Sequence, residues 1–161
     1  TGEKMFSQDK YNKYDPSVNA DVAEAMDKAF ALFGFTAIEQ RSEDFGADWC
    51  GNYEEKDCLM ESQVKAGWKQ GRFPYNTIAV FMRYGNKPHT QLKAMKEKKV
   101  YHLMMDENLN RAILLDWEHI KLYAGRCFLP PDRGYEENYE MGKYWALECN
   151  ITTGQVWSND K

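Results

Sequence analysis

From Asn19 onward, Val22, Met26, Ala29, Phe30 and Phe33 recur at steps of three and four, while Asp21, Glu24 and Lys28 fall between them. That period predicts an amphipathic helix, with Asn19 as its N-cap, Asp21 suited to the positive end of the dipole and Gly34 closing it in a left-handed conformation. The pattern then changes to short β-prone runs. Phe35 to Gln40 reads as a strand, and Arg41-Ser42-Glu43-Asp44 as a polar connection. Ala47 to Tyr53 and Cys58 to Lys65 read as two strands joined by the loop Glu54-Glu55-Lys56-Asp57, as in an antiparallel hairpin. In the second of these the period is two: Cys58, Met60, Ser62 and Val64 take one face, and Leu59, Glu61, Gln63 and Lys65 the other.

Farther along, residues 66–75 hold two glycines, a proline and the aromatics Trp68, Phe73 and Tyr75, the mark of a loop with large side chains. Thr77 to Tyr84 resumes a strand whose run Ile78 to Met82 suits burial on both faces of a sheet. Lys87 to Lys99 predicts an exposed turn and a short helix, and Val100 to Met105 and Arg111 to Asp116 two strands around a turn. In the tail, Pro130 to Gly134 is a loop, Tyr144 to Cys149 a strand, and Thr153-Gly154 a turn before Gln155-Val156-Trp157. No repeat or low-complexity stretch interrupts this order, and the predicted product is an α/β or α+β domain with a mixed central sheet flanked by few helices.

Composition narrows the class. With 161 residues, 43% hydrophobic and 29% charged, the chain fits one compact domain. A domain of this size buries about 70% of its unfolded surface and needs neither disulfide nor structural metal. Cys50, Cys58, Cys127 and Cys149 have no zinc-finger or C-x-x-C spacing. Cys50 and Cys58 could face each other across the hairpin, but the first residues carry no signal-peptide pattern, so the expected setting is the reducing cytoplasm (a host's, for a viral chain) and the thiols read as small buried apolar groups. No run of about eighteen apolar residues exists, which excludes a membrane-spanning helix. The net charge of −4 argues against coating nucleic acid by bulk attraction, although Lys65, Lys69 and Arg72 form one basic cluster and Lys87, Lys93, Lys96, Lys98 and Lys99 another. His89, His102 and His119 are too dispersed for zinc, and no Ser-His-Asp order or Gly-rich phosphate loop is present.

The stretch that carries chemistry is Asp48-Trp49-Cys50-Gly51 followed one hairpin later by Glu61-Ser62-Gln63-Val64-Lys65. Alternation lets Asp48, Gln63 and Lys65 share one face near the hairpin's open end, with Glu61 on that face two residues earlier. Oxygen donors of this kind suit a hard cation such as Mg²⁺, which lowers the pKa of bound water while an ammonium orients the nucleophile. Without the surrounding elements, an Asp and a Lys at this spacing are ordinary surface charges.

The order helix, strand, Asp-bearing strand, Gln-x-Lys strand resembles the PD-(D/E)xK nuclease superfamily, and Gln63-Val64-Lys65 is similar to the Q-x-K variant of Mrr-like restriction endonucleases. The resemblance covers roughly residues 19–105. It implies a restriction-endonuclease-like core at about 19–123 with an extension at about 124–161 of a single domain 1–161, and a Mg²⁺-dependent (or Mn²⁺-dependent) DNA endonuclease or exonuclease. In that reading Asp48 binds metal, Gln63 and Glu61 complete its shell, and Lys65, on a solvated face, positions the attacking water. No Pro precedes Asp48, and Gln stands where an acid is usual. Relatives also use an acid on the first helix, for which Glu24 and, on the first strand, Glu39 are candidates. Trp68 with Lys69 and Arg72 would stack on bases and grip phosphates, or Trp68 would cap the sheet as a core anchor. Cutting both strands of a duplex would call for a homodimer. Two other readings stay open: a nuclease scaffold that binds nucleic acid without cutting, and a protein-interaction domain, perhaps of phage origin, using exposed aromatics.

Overall fold

The computed structural model describes residues 13–41, 47–65, 67–68, 77–81, 83–84, 87–88, 95–123, 125–127, 138–142 and 147–158. Helix α1 spans Ala20–Phe33, and its period buries Val22, Met26, Ala29, Phe30 and Phe33. Asn19 Oδ1 accepts from the backbone N–H of Asp21 at 3.0 Å and of Val22 at 3.4 Å, supplying the cap its sequence promised. Gly34 ends the helix at φ 105°, where a β-carbon would be strained.

Three antiparallel strands follow: β1 (Thr36–Gln40), β2 (Trp49–Tyr53) and β3 (Lys56–Lys65). The β2–β3 loop is shorter than its sequence predicts. Tyr53 pairs with Lys56, leaving only Glu54 and Glu55 in the turn, at φ 52° and 67°. Two successive left-handed residues are the signature of a type I′ turn, whose twist matches that of the flanking strands. That match outweighs the poor fit of glutamate to a positive φ.

Strand β4 (Thr77–Phe81) leaves the path expected for the apolar run. It lies at the edge of a three-stranded sheet, and the chain continues in a two-stranded ribbon formed by β5 (Arg83–Tyr84) and β6 (Lys87–Pro88). The positions beside β3 in the main sheet are taken by β2 and by β7 (Lys99–Asp106), which runs parallel to β3. Residues 95–98 form a turn, as expected for part of the segment 87–99; residues 89–94, where the short helix would fall, lie outside the described residues. Strand β8 (Arg111–Asp116) returns antiparallel to β7. The β7–β8 turn is closed by Asp106 Oδ1, which accepts from the N–H groups of Asn110 and Arg111 at 3.0 Å each.

A short helix that the strand patterning did not predict, α2 (Trp117–Tyr123), follows directly; Asp116 Oδ1 accepts from the Glu118 N–H at 2.9 Å near its start. Strands β9 (Gly125–Cys127) and β10 (Asn138–Gly142) join β4 in the small sheet, in the order β4-β10-β9. Strands β11 (Leu147–Asn150) and β12 (Gln155–Ser158) extend the main sheet, which therefore includes part of the tail and reads β1-β2-β3-β7-β8-β11-β12. The protein is thus an α/β domain with a seven-stranded mixed sheet and few helices.

Two apolar clusters cover the two faces of this sheet. On one, α1 packs Met26, Phe30 and Phe33 against Cys58, Met60, Leu103, Met105 and Leu114. On the other, Trp117 and Ile120 of α2, with Trp68, cover Leu59, Val100, Met104, Ile113 and Leu115. No helix among the described residues is long and apolar enough to cross a membrane. Cys50, Cys58 and Cys149 are free thiols: Cys50 pairs with Leu59 and Gly51 with Cys58, so the first two project from opposite faces. Cys127 falls on β9, whose side-chain placement is not described.

Candidate active site

The register of β2 on β3 is pinned on the α1 face. There the Trp49 indole N–H donates to Ser62 Oγ at 2.8 Å in a buried setting, and the Trp49 ring meets Phe30 edge-on with centroids 5.5 Å apart. Alternation turns the neighbours of these residues to the far face: Cys50 from β2, and Leu59, Glu61, Gln63 and Lys65 from β3, with Asp48 adjoining Trp49 just before β2. All four residues expected to carry chemistry are half-buried.

Turn length decides which of them meet. A four-residue loop would set Asp48 opposite Gln63. The observed two-residue turn pairs Trp49 with Met60, the last pair of the β2–β3 ladder; Asp48 precedes β2, and the same register continued by one step would set it level with Glu61. The neighbouring ladder also reaches this step, since the Arg41 N–H donates to the Asp48 carbonyl at 2.7 Å. A shift of two residues preserves the face and exchanges the partner. In that register Glu61, expected to lie too far back along the strand, takes the place level with Asp48 that the longer loop would have given Gln63. On the other side of β3, Glu61 pairs with His102, Gln63 with Met104 and Lys65 with Asp106 of β7. Glu61 and His102 thus pair across β3 and β7, while Arg41 and Asp48, joined by their backbone hydrogen bond, lie just past the end of β1 and just before β2.

His102 is buried, 6% exposed, and its Nε2 lies 3.3 Å from Gln63 Oε1. Dispersal along the chain hid this histidine. The signal that would have found it is the parity of β7, on which His102 and Asp106 share a face with Val100 and Met104. Lys65 sits in a less solvated place than expected, and burial pushes its amine down to about 8. An amine with that pKa exchanges its proton near neutral pH. At the same end of the face, Arg111 Nη2 reaches Glu148 Oε2 at 3.4 Å and its guanidinium lies 5.7 Å from the centre of the Trp157 ring.

Among the described residues, no three His, Cys, Asp or Glu side chains gather as metal ligands. Of the oxygen donors on this face, those of the predicted site are the carboxylates of Asp48 and Glu61 and the amide of Gln63. Mg²⁺ is commonly held by one or two carboxylates, with waters and substrate phosphate completing its octahedron, so this donor set fits it.

The other predicted residues divide. Trp68 is 7% exposed within the far-face core; its N–H donates to the Lys65 carbonyl and its own carbonyl accepts from the Glu107 N–H. It is a core anchor, because a ring closed off by Leu59 and its neighbours has no face left to stack on a base. Lys69, Arg72, Phe73 and Tyr75 lie outside the described residues, as do His89 and Lys93. Glu24 is exposed on α1, which packs on the opposite face of the sheet from Glu61, so it does not join the site. Glu39 is exposed on β1 opposite Cys50. Lys99 of the basic cluster is held by Asp116 at 2.9 Å and Glu118 at 3.1 Å, an arrangement that raises its pKa and makes it a local tie. Burial pushes the Cys58 thiol up to about 11 and that of Cys149 to about 12, leaving neither a nucleophile at neutral pH.

No family model, curated protein or solved structure matches the chain.

Proposed function

We propose that the chain is a divalent-metal-dependent nuclease of the PD-(D/E)xK kind, hydrolysing phosphodiester bonds of DNA. The observation that supports this reading is the β2–β3 register, which puts Glu61, Gln63 and Lys65 on one face of β3 and, continued one step past the Trp49–Met60 pair, brings Asp48 level with Glu61. The two carboxylates hold the cation, and the amide oxygen of Gln63 is the third donor. A divalent ion bound there supplies charge neutralisation for the phosphodiester and a water of lowered pKa. Lys65, as an ammonium on the same face, would orient the attacking water. Glu61 makes up for the glutamine that stands where an acid is usual. Cutting both strands of a duplex would take two copies of this single site, and a homodimer is the arrangement that supplies them.

The test is cleavage of supercoiled plasmid and of labelled single-stranded DNA by the protein and its Asp48→Ala variant, each with Mg²⁺, Mn²⁺ or EDTA. Metal-dependent cutting lost in the variant is the expected result. Salt-sensitive binding without cutting would replace this reading with a non-cleaving nucleic-acid-binding scaffold, and neither binding nor cutting would favour a protein-interaction domain.

A further inference from the structure

The residue that most needs an explanation on the far face is His102. It is 6% exposed, between Tyr101 and Leu103 in the middle of β7, and a buried imidazole there is costly unless it is hydrogen-bonded. Its position in the ladder is informative. The backbone partner of Gln63 on β7 is Met104, one row away from Glu61, yet the Gln63 amide meets His102, which stands in the row of Glu61. The contact therefore spans two adjacent rows of the face, tying Gln63 to the partner of Glu61.

We propose that His102 is a positioning residue of the Asp48–Glu61 centre, acting through Gln63 by drawing its amide toward Glu61. This rests on the nuclease reading. The Nε2–H tautomer of His102 donates to Gln63 Oε1, and an amide oxygen has two lone pairs, so one stays available for a cation. The ring is itself held in place: it lies 6.0 Å, centre to centre, from Trp117, the first residue of α2 and part of the far-face core. A glutamine unsupported on a strand would populate several rotamers, and only some bring its oxygen to the carboxylates. Partners that orient metal ligands in this way typically govern affinity by ten- to a hundredfold.

The test is Mn²⁺ affinity of the whole chain without DNA, read by electron paramagnetic resonance, for the wild type, His102→Leu, Gln63→Leu and the double variant, with plasmid nicking alongside. Each single substitution is expected to weaken Mn²⁺ binding about tenfold, the double one no further, and His102→Gln, whose amide nitrogen reaches the place of Nε2, to stay within about threefold of wild type. Losses that multiply in the double variant, or wild-type affinity in His102→Leu, would overturn the proposal while leaving the nuclease reading intact. A wild type that neither binds Mn²⁺ nor nicks DNA would overturn both. Should His102→Leu fail to fold, His102→Gln against His102→Asn makes the same comparison, because the asparagine amide stops near the place of Nδ1; equal affinities in that pair would contradict the proposal.

Discussion

The two faces of the central sheet bury their polar groups on different terms. On the α1 face the buried polar contact is Trp49 with Ser62, a short hydrogen bond enclosed by Phe30 and Met60, and its evident product is strand register. On the far face, Glu61, Gln63, Lys65, His102, Asp106, Arg111 and Glu148 are interspersed with the apolar Leu59, Val100, Met104, Ile113 and Leu115. Burial pushes the Lys65 amine well below its ordinary range, which means that the folded protein is less stable for keeping it charged. A polar group that stabilises is explained by the fold alone. One that destabilises calls for another reason, and chemistry is the reason proposed here.

The largest effect should therefore be a gain. Replacing Lys65 by Met removes a buried amine whose pKa falls from 10.5 to about 8, and at pH 7 the variant should unfold at higher urea, by about 2–3 kcal/mol, while losing DNA cleavage. The sign with pH follows from linkage. Between about pH 8 and 10.5 the unfolded chain still binds the proton that folded Lys65 has released, so stability due to Lys65 rises with pH and the gap between variant and wild type should close. Cys58 and Cys149, whose folded pKa values are raised, act in the opposite sense above about pH 9, and taking the difference between the two proteins cancels them. A variant less stable than wild type at pH 7 would contradict the contrast.

The same operation on the α1 face should have the opposite sign. Ser62→Ala strips the Trp49 indole N–H of its buried acceptor and should cost about 1–3 kcal/mol in urea unfolding; a neutral result would mean that Trp49 does not fix the register. The smallest effect belongs to the hairpin turn that sets which residues meet. Glu54→Asn with Glu55→Gly supplies residues suited to φ 52° and 67° and should raise stability by about 1 kcal/mol without altering cleavage. Destabilisation of the double variant would argue against a type I′ turn at this position.

Much of this arrangement was legible in the sequence, and the limits have physical causes. The period of residues 20–33 and its two caps are local signals, and the helix formed where they predict. The face of each β3 residue followed from parity, which is insensitive to a shift of two. The residue level with Asp48 was not legible, because it depends on whether the turn holds two residues or four, and glutamates at positive φ give no warning of the shorter one. The run Ile78 to Phe81 did form a strand, but apolarity reports a preference for burial without saying in which sheet, and it lies in the small sheet while β7 takes the place next to β3. Helix α2 was missed because Trp117 and Ile120 offer a single turn of helical period directly after a strand. His102 escaped notice because its neighbours on the site come from another strand.

The most direct test of the account is plasmid nicking by Glu61→Gln beside wild type in Mg²⁺, with thermal unfolding of both. Glu61 is assigned to the centre by strand register alone and not by any motif. The account predicts nicking reduced to background at an unchanged unfolding midpoint. Nicking at the wild-type rate in the folded variant would contradict the assignment of Asp48 and Glu61 as the catalytic pair.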